Sequence, residues 1–291
     1  MTEARRDNDR RAAAFVPGHV TGFFSPYDAD EPVRAGSRGA GVTLSDGVRV
    51  TVRADDPSTA SRLTLDGTPL SMPPVETVLT ALDAEGAHVV AESDLPLGTG
   101  FGVSGAIALG TALAANHALD RGRSANDLVA LAHRAEVLAG TGLGDVVAQA
   151  RGGVPIRLDP GAPPHGRLDG VPATRRVEYV TFGGLSTADV LAGDTDSLVD
   201  AGDRALSGLT DRPTLSGLLA ASRRFASRTG LPTDRVRGVV DDVVDTGGEA
   251  SMAMLGETVF SLGTGLTDTG VDADVCRICQ TGAHLLPPDR S

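Results

Sequence analysis

Residues 96–120 read "PLGTGFGVSGAIALGTALAANHALD", and this stretch constrains the chain more than any other. Four glycines fall within residues 98–105, and an alanine-rich apolar helix follows at once. Gly98, Gly100 and Gly102 let the backbone turn sharply and point its N–H groups inward. The helix that begins near Ser104 adds its positive end. A turn of this kind is a cradle for phosphate oxygens.

The same residues contain a literal G-x-G-x-x-G at 100–105, the fingerprint of a dinucleotide fold. That fingerprint belongs in a compact β-α-β unit with an acid about 20 residues on. Here "DRGRSANDL" stands at that distance, a turn and a helix start, and Pro96 precedes the first glycine. A dinucleotide oxidoreductase is thus the weaker reading.

Composition narrows the chemistry further. The chain has no lysine, so all 26 of its basic Lys/Arg positions are arginine, against 38 acids and a net charge of −12. A Walker A loop needs Gly-Lys-Ser/Thr, and none exists. Schiff-base chemistry through lysine is excluded as well. The acidic balance argues against nucleic acid or an anionic membrane as partner. It fits a protein hydrated in high salt, while a GC-rich genome offers a second reason for arginine over lysine. No apolar run spans a bilayer, and "MTEARRDNDRRAAAF" lacks the apolar core of a secretory signal. That opening is read as a frayed charged tail, and the protein is expected in the cytoplasm. Cys276 and Cys279, spaced C-x-x-C, have only His284 nearby and are read as two small residues on a terminal helix.

The pattern along the chain is strands first and helices later, without regular β-α alternation, which predicts an α+β fold. Residues 41–53 predict two strands around an Asp46-Gly47 turn. Residues 61–66, 87–92, 152–158 and 175–184 predict further strands. Ser124 with Asp127 predicts a capping box. Leu128, Leu131, Ala135 and Leu138 predict one apolar face, and Gly140 a helix stop. Residues 186–246 are mostly helical, residues 250–263 a glycine turn and then a strand, and the tail after 270 a helix with a last short strand.

A second glycine-rich turn, Gly140, Gly142 and Gly144, lies between Glu136 and Asp145. Phosphoryl transfer uses carboxylates to hold Mg²⁺ and to orient or deprotonate a hydroxyl. Two acids bracketing a turn can do both, and Ser104 can offer a hydroxyl to Mg²⁺ or phosphate. The alternatives are helix caps at Ser104 and Asp145 and a solvated helix-end Glu136.

These motifs together resemble the GHMP kinases. The segment from Pro96 through Gly98, Gly100, Gly102 and Ser104 is similar to their P-x-G-x-G-L-G-S-S-A loop, with Phe101, Val103 and Gly105 as departures. Glu136 and Asp145 resemble the family's Mg²⁺-binding Glu and catalytic Asp. "MLGETVFSL" at 254–262 is similar to its third motif without the fuller S-G-S-G-P form. The resemblance implies two α+β lobes, an N-terminal ribosomal-S5-like lobe over 1–171 and a C-terminal ferredoxin-like lobe over 172–291. It implies ATP and Mg²⁺ as cofactors, Ser104 and Glu136 at the metal, and Asp145 with them as catalytic residues.

Within the family, "PGHVTGFF" at 17–24, "GSRGAGV" at 36–42 and "GTGLGDVVAQARGGVPIRLDPG" at 140–161 resemble the archaeal pantoate kinase branch. That branch phosphorylates the 4-hydroxyl of (R)-pantoate in coenzyme A biosynthesis. With no lysine present, an arginine is the natural partner for the substrate carboxylate. Arg157 is the first candidate, with an ion pair to Asp159 as its alternative role. His19, Thr21 and Ser25 are further substrate-binding candidates, and Arg38 another. A sister kinase for homoserine, mevalonate or a sugar, and a non-catalytic ligand-binding homologue, stay open at this point. The sequence does not dictate the oligomeric state, and a homodimer is compatible with it.

Overall fold

The computed structural model describes residues 10–55, 58–184 and 195–288. The charged opening at 1–9 and the start of the helical region at 186–194 lie outside them.

Two sheets organise the chain. The first opens on two long antiparallel strands, β1 (Arg11–Tyr27) and β2 (Gly36–Arg53). β3 (Arg62–Leu65), β4 (Thr68–Leu70) and β5 (His88–Ser93) extend it past the C-terminal half of β2. β6 (Val154–Asp159) and β7 (Arg167–Val171) join it through Gly39 and Ala40 of β2. The second sheet runs β11 (Asp274–Arg277), β8 (Arg176–Gly184), β10 (Gly256–Leu262), β9 (Ala250–Ala253), all antiparallel. The expected lobe boundary at 171/172 falls between β7 and β8. The last strand, β12 (His284–Leu285), returns to pair with Ala14 and Phe15 of β1, so the tail closes on the first sheet.

Helix α1 (Pro73–Ala81) precedes β5, and α2 (Val103–Ala118), α3 (Ala125–Ala139) and α4 (Asp145–Arg151) follow it. α2 packs on β1 and β2, with α3 and α4 beside it. Its small residues permit a close approach: a Cβ at Gly110 would lie 2.5 Å from Val50 Cγ2. Helices α5 (Thr195–Asp211) and α6 (Leu215–Thr229) pair and cover β1. α7 (Asp234–Asp245) and the single turn α8 (Gly265–Asp268) complete the second half. No helix among the described residues is long and apolar enough to cross a membrane.

Local chemistry accounts for several boundaries. Ser124 and Asp127 form the reciprocal capping box, with both bonds at 3.2 Å, and Gly140 ends α3 at φ 67°. Four expectations are corrected. Asp46-Gly47 does not turn a hairpin: β2 runs straight through it, and the dipeptide sits at a bulge where the register jumps from Pro17↔Gly47 to Gly18↔Leu44. The bulge is used, because Tyr179 of β8 donates to Asp46 Oδ2 at 3.0 Å and ties the two sheets together.

Cys276 lies on strand β11 and Cys279 just after it, not on a helix, because the open edge of β8 takes residues 274–277 as a partner. Leu138 is 58% exposed. The buried face at that end of α3 goes to His133, Ala135 and Glu136 instead. The segment 250–263 is a hairpin, β9 and β10, turning at Leu255 (φ 71°), rather than a turn and a single strand.

Candidate active site

The glycine loop forms one wall of a 540 Å³ cavity. Gly98, Gly100 and Gly102 adopt φ of 81°, 93° and 66°, the left-handed region that side chains disfavour. At Gly102 a Cβ would also press on Gln149 Nε2 at 3.0 Å and Asp145 Cβ at 3.1 Å. Gly102, not Ser104, is the N-cap of α2. The loop is held from several sides. The His19 N–H donates to Phe101 O at 2.9 Å, Gln149 Nε2 to Gly102 O at 2.9 Å, and Thr258 Oγ1 to Thr99 O at 2.8 Å. Thr99 Oγ1 donates to Pro96 O at 2.9 Å, closing the turn at its start. Phe101 is buried edge-on to Tyr179 at 4.9 Å, a burial that contributes roughly 1.5–3 kcal/mol to holding the loop in place.

Ser104 is free of capping duty, and its hydroxyl donates to Glu136 Oε1 at 2.7 Å. Glu136 is 2% exposed. Burial pushes its carboxyl up to about 7, against the opposing pull of the Ser104 hydrogen bond. Gly142 must be small because a Cβ there would lie 2.8 Å from Glu136 Oε2.

Asp145 is the first residue of α4, whose N-cap is Gly144, and its side chain leaves the helix end for His19. His19 Nδ1 and Asp145 Oδ1 are 2.7 Å apart, the imidazole fully buried and the carboxylate one-quarter exposed. Burial pulls the Asp145 carboxyl up, but the His19 hydrogen bond and the Arg157 guanidinium outweigh it and hold it below the ordinary value. Burial lowers His19, and Asp145 offsets only part of that. The pair at neutral pH is therefore a neutral imidazole and a carboxylate. Thr21 Oγ1 stands 3.5 Å from the same His19 nitrogen and lines the cavity with Asp145.

Arg157 lies behind the turn at Gly144, on β6, and is 1% exposed. Its Nε and Nη2 make only 3.4 Å contacts with Ser37, and Nη1 has no partner. Asp159 is no counterion for it, being paired with Arg167 at 2.8 Å. No carboxylate among the described residues lies within salt-bridge distance of Arg157. A buried guanidinium with no salt-bridge partner is costly, and the charge acting on it is the Asp145 carboxylate, which it in turn helps to keep ionised.

Ser25 and Arg38 stand apart from this group. Ser25 Oγ donates to Asp203 Oδ1 at 2.7 Å, and Arg38 Nη1 lies 3.3 Å from the same oxygen. Two residues went unassigned in the sequence. His133, buried on α3, donates through Nε2 to Ala35 O at 2.8 Å and lies near the Arg157 charge. Its position three residues before Glu136, on one helix face, was the available signal. Gln149, one turn after Asp145, was signalled in the same way.

Residues 74–153, which hold the loop, Glu136 and Asp145, match the GHMP kinases N terminal domain. The pantoate kinase of Thermococcus kodakarensis is 36% identical over 263 residues, covering 86% of each chain. That of Methanocaldococcus jannaschii is 33% identical, over 85% of this chain and 91% of its own. This chain belongs to the pantoate kinases.

Solved structures agree. A "Phosphotransferase related to CoA biosynthesis pathway" superposes at a TM-score of 0.86, with 30% identity over 97% of this chain and all of that one. The homoserine kinase of Cytophaga hutchinsonii superposes at 0.69 over 95% of this chain and 98% of its own, at 18% identity, a likeness of fold alone. This chain thus has a two-lobed GHMP-kinase fold, with two sheets and the glycine loop pinned between them.

Proposed function

We propose that this enzyme transfers the γ-phosphoryl group of ATP to the 4-hydroxyl of (R)-pantoate, giving 4-phosphopantoate and ADP for coenzyme A biosynthesis. The observation that carries the reading is Arg157, a buried arginine with an unpartnered Nη1 whose charge acts on Asp145 without a salt bridge to it. Pantoate brings a carboxylate, and homoserine, mevalonate and sugars differ in whether and where they bring one. Thr21, which lines the cavity beside Asp145, is assigned to the substrate side of the site with Arg157, whereas His19 reaches the site through Asp145 and Ser25 is bonded to Asp203.

The cavity suits a nucleotide. One end is walled by Leu70, Met72, Pro73, Pro74 and Leu97, an apolar slot for a flat base. The other end is the glycine loop, where no lining side chain is basic. Backbone N–H groups over 98–104 and the start of α2 face phosphate oxygens there. Ser104 Oγ and Glu136 fit Mg²⁺, which takes one or two protein oxygens and fills its shell with phosphate and water. When bound, Mg²⁺ supplies neutralising charge for the transferred group.

Asp145, ionised and at the cavity wall, accepts the proton of the substrate hydroxyl or aligns it for attack. Arg157 holds the substrate carboxylate and so fixes which hydroxyl meets Asp145. The loop amides stabilise the charge that develops on the transferred oxygens. The reaction is assigned to the cytoplasm, where its nucleotide is made.

Arg157→Met tests the carboxylate assignment. The expected result is a pantoate KM raised by about 10- to 150-fold, with the ATP KM close to normal, since a charge-assisted bidentate contact is worth roughly 1.5–3 kcal/mol. An unchanged pantoate KM would remove Arg157 from the substrate site.

A further inference from the structure

Neither nitrogen of the His19 imidazole is open to a bound molecule. Nδ1 is engaged at 2.7 Å by Asp145 Oδ1. Nε2 is buried without a partner and faces the backbone of β2, where a Cβ at position 41 would lie 2.4 Å from it. The ring fits because residue 41 is glycine. A neutral imidazole has one N–H, and here only the Nδ1 side offers an acceptor, so that proton is donated to Asp145. The backbone N–H of the same residue donates to Phe101 O, which ties the ring's position to the glycine loop.

Resting on the kinase reading above, we propose that His19 is a positioning residue for Asp145 rather than a contact for substrate. A carboxylate at the first position of a helix, held locally by no more than its own backbone N–H, has several rotamers open to it. The Nδ1–H bond selects one and occupies Oδ1, so that the remaining lone pairs are presented to the cavity that Asp145 lines. Through its backbone bond to the loop, His19 also sets the distance between that carboxylate and the phosphate cradle. The opening motif is therefore a spacer between base and nucleotide. Its histidine acts at one remove from the chemistry.

The test compares two amides in the full chain. His19→Asn places an N–H donor near the position of Nδ1, and His19→Gln places one near Nε2, against Gly41. The inference predicts that the Asn variant keeps kcat within about tenfold of the unsubstituted enzyme. The Gln variant loses about 100-fold in kcat, the lower range for a misplaced acid–base group, while both KM values stay within about threefold. Thermal melting of each variant checks that it is folded, and His19→Leu substitutes for Gln if Gln is not. A raised pantoate KM at constant kcat would overturn the inference by making His19 a substrate contact. Equal loss in the Asn and Gln variants would overturn it by showing that the donor at Nδ1 does not matter. If the unsubstituted enzyme itself turned over no ATP with pantoate, the kinase reading would fall first, a distinguishable failure.

Discussion

Glu136 shows how a single carboxyl can link pH, metal and stability. Its proton is held by burial up to about 7 in the folded chain, above the ordinary 4.5. The folded state therefore binds that proton more tightly than the unfolded chain does. The corresponding stability is present below pH 4.5 and is lost as pH rises to about 7. A cation on the carboxylate offsets that loss, and below pH 7 it must compete with the proton. The melting temperature gained on adding Mg²⁺ with ADP, relative to ADP with a chelator, should be clearly larger at pH 8 than at pH 6. An equal gain at both pH values would show that Glu136 does not hold the metal.

At the scale of elements, the short helix α4 does more than carry Asp145. One turn on, Gln149 reaches back to Gly102 O and fastens the loop to the helix that bears the carboxylate. Removing that amide leaves the Gly102 carbonyl with the Ala106 N–H alone, at a cost of about 0.5–1.5 kcal/mol. Gln149→Leu should raise the ATP KM by about tenfold while leaving the pantoate KM nearly unchanged, as steady-state kinetics on both substrates would read. An unaltered ATP KM would mean that the loop holds its shape without α4.

Elements set by near neighbours were legible in the sequence. Ser124, Asp127 and Gly140 specify both ends of α3, and the glycines of 98–102 announce their positive φ. Elements set by distant pairing were not. Asp46-Gly47 has every local mark of a hairpin turn, yet β1, more than 20 residues earlier in the chain, claims both sides of it. Cys276 joins a strand because β8, about 100 residues earlier, leaves an edge open. The candidate site divides in the same way. Ser104, Glu136 and Asp145 could be picked from two glycine turns. The neutral state of His19 depends on its burial, and Arg157 is without a salt bridge to Asp159 because Arg167 takes that carboxylate.

The whole molecule brings its two sheets together around the loop. Met254 and Leu255, at the turn of the second sheet, line the cavity opposite Gly98 and Gly100, and the Met254 N–H donates to Thr21 O at 2.8 Å. In the proposed reading, a chain of net charge −12 with no lysine binds two anionic substrates through backbone amides, one buried arginine and a metal. Added salt screens its self-repulsion, so the assay belongs in high KCl. The most direct measurement is coupled ADP release in that medium with pantoate, homoserine, mevalonate and shikimate, beside the Asp145→Asn variant. We predict Mg²⁺-dependent release with pantoate alone and a loss of about 100-fold or more in the Asn variant, which stays folded. Release with another of the four acceptors, or near-normal turnover by Asp145→Asn, would contradict the account.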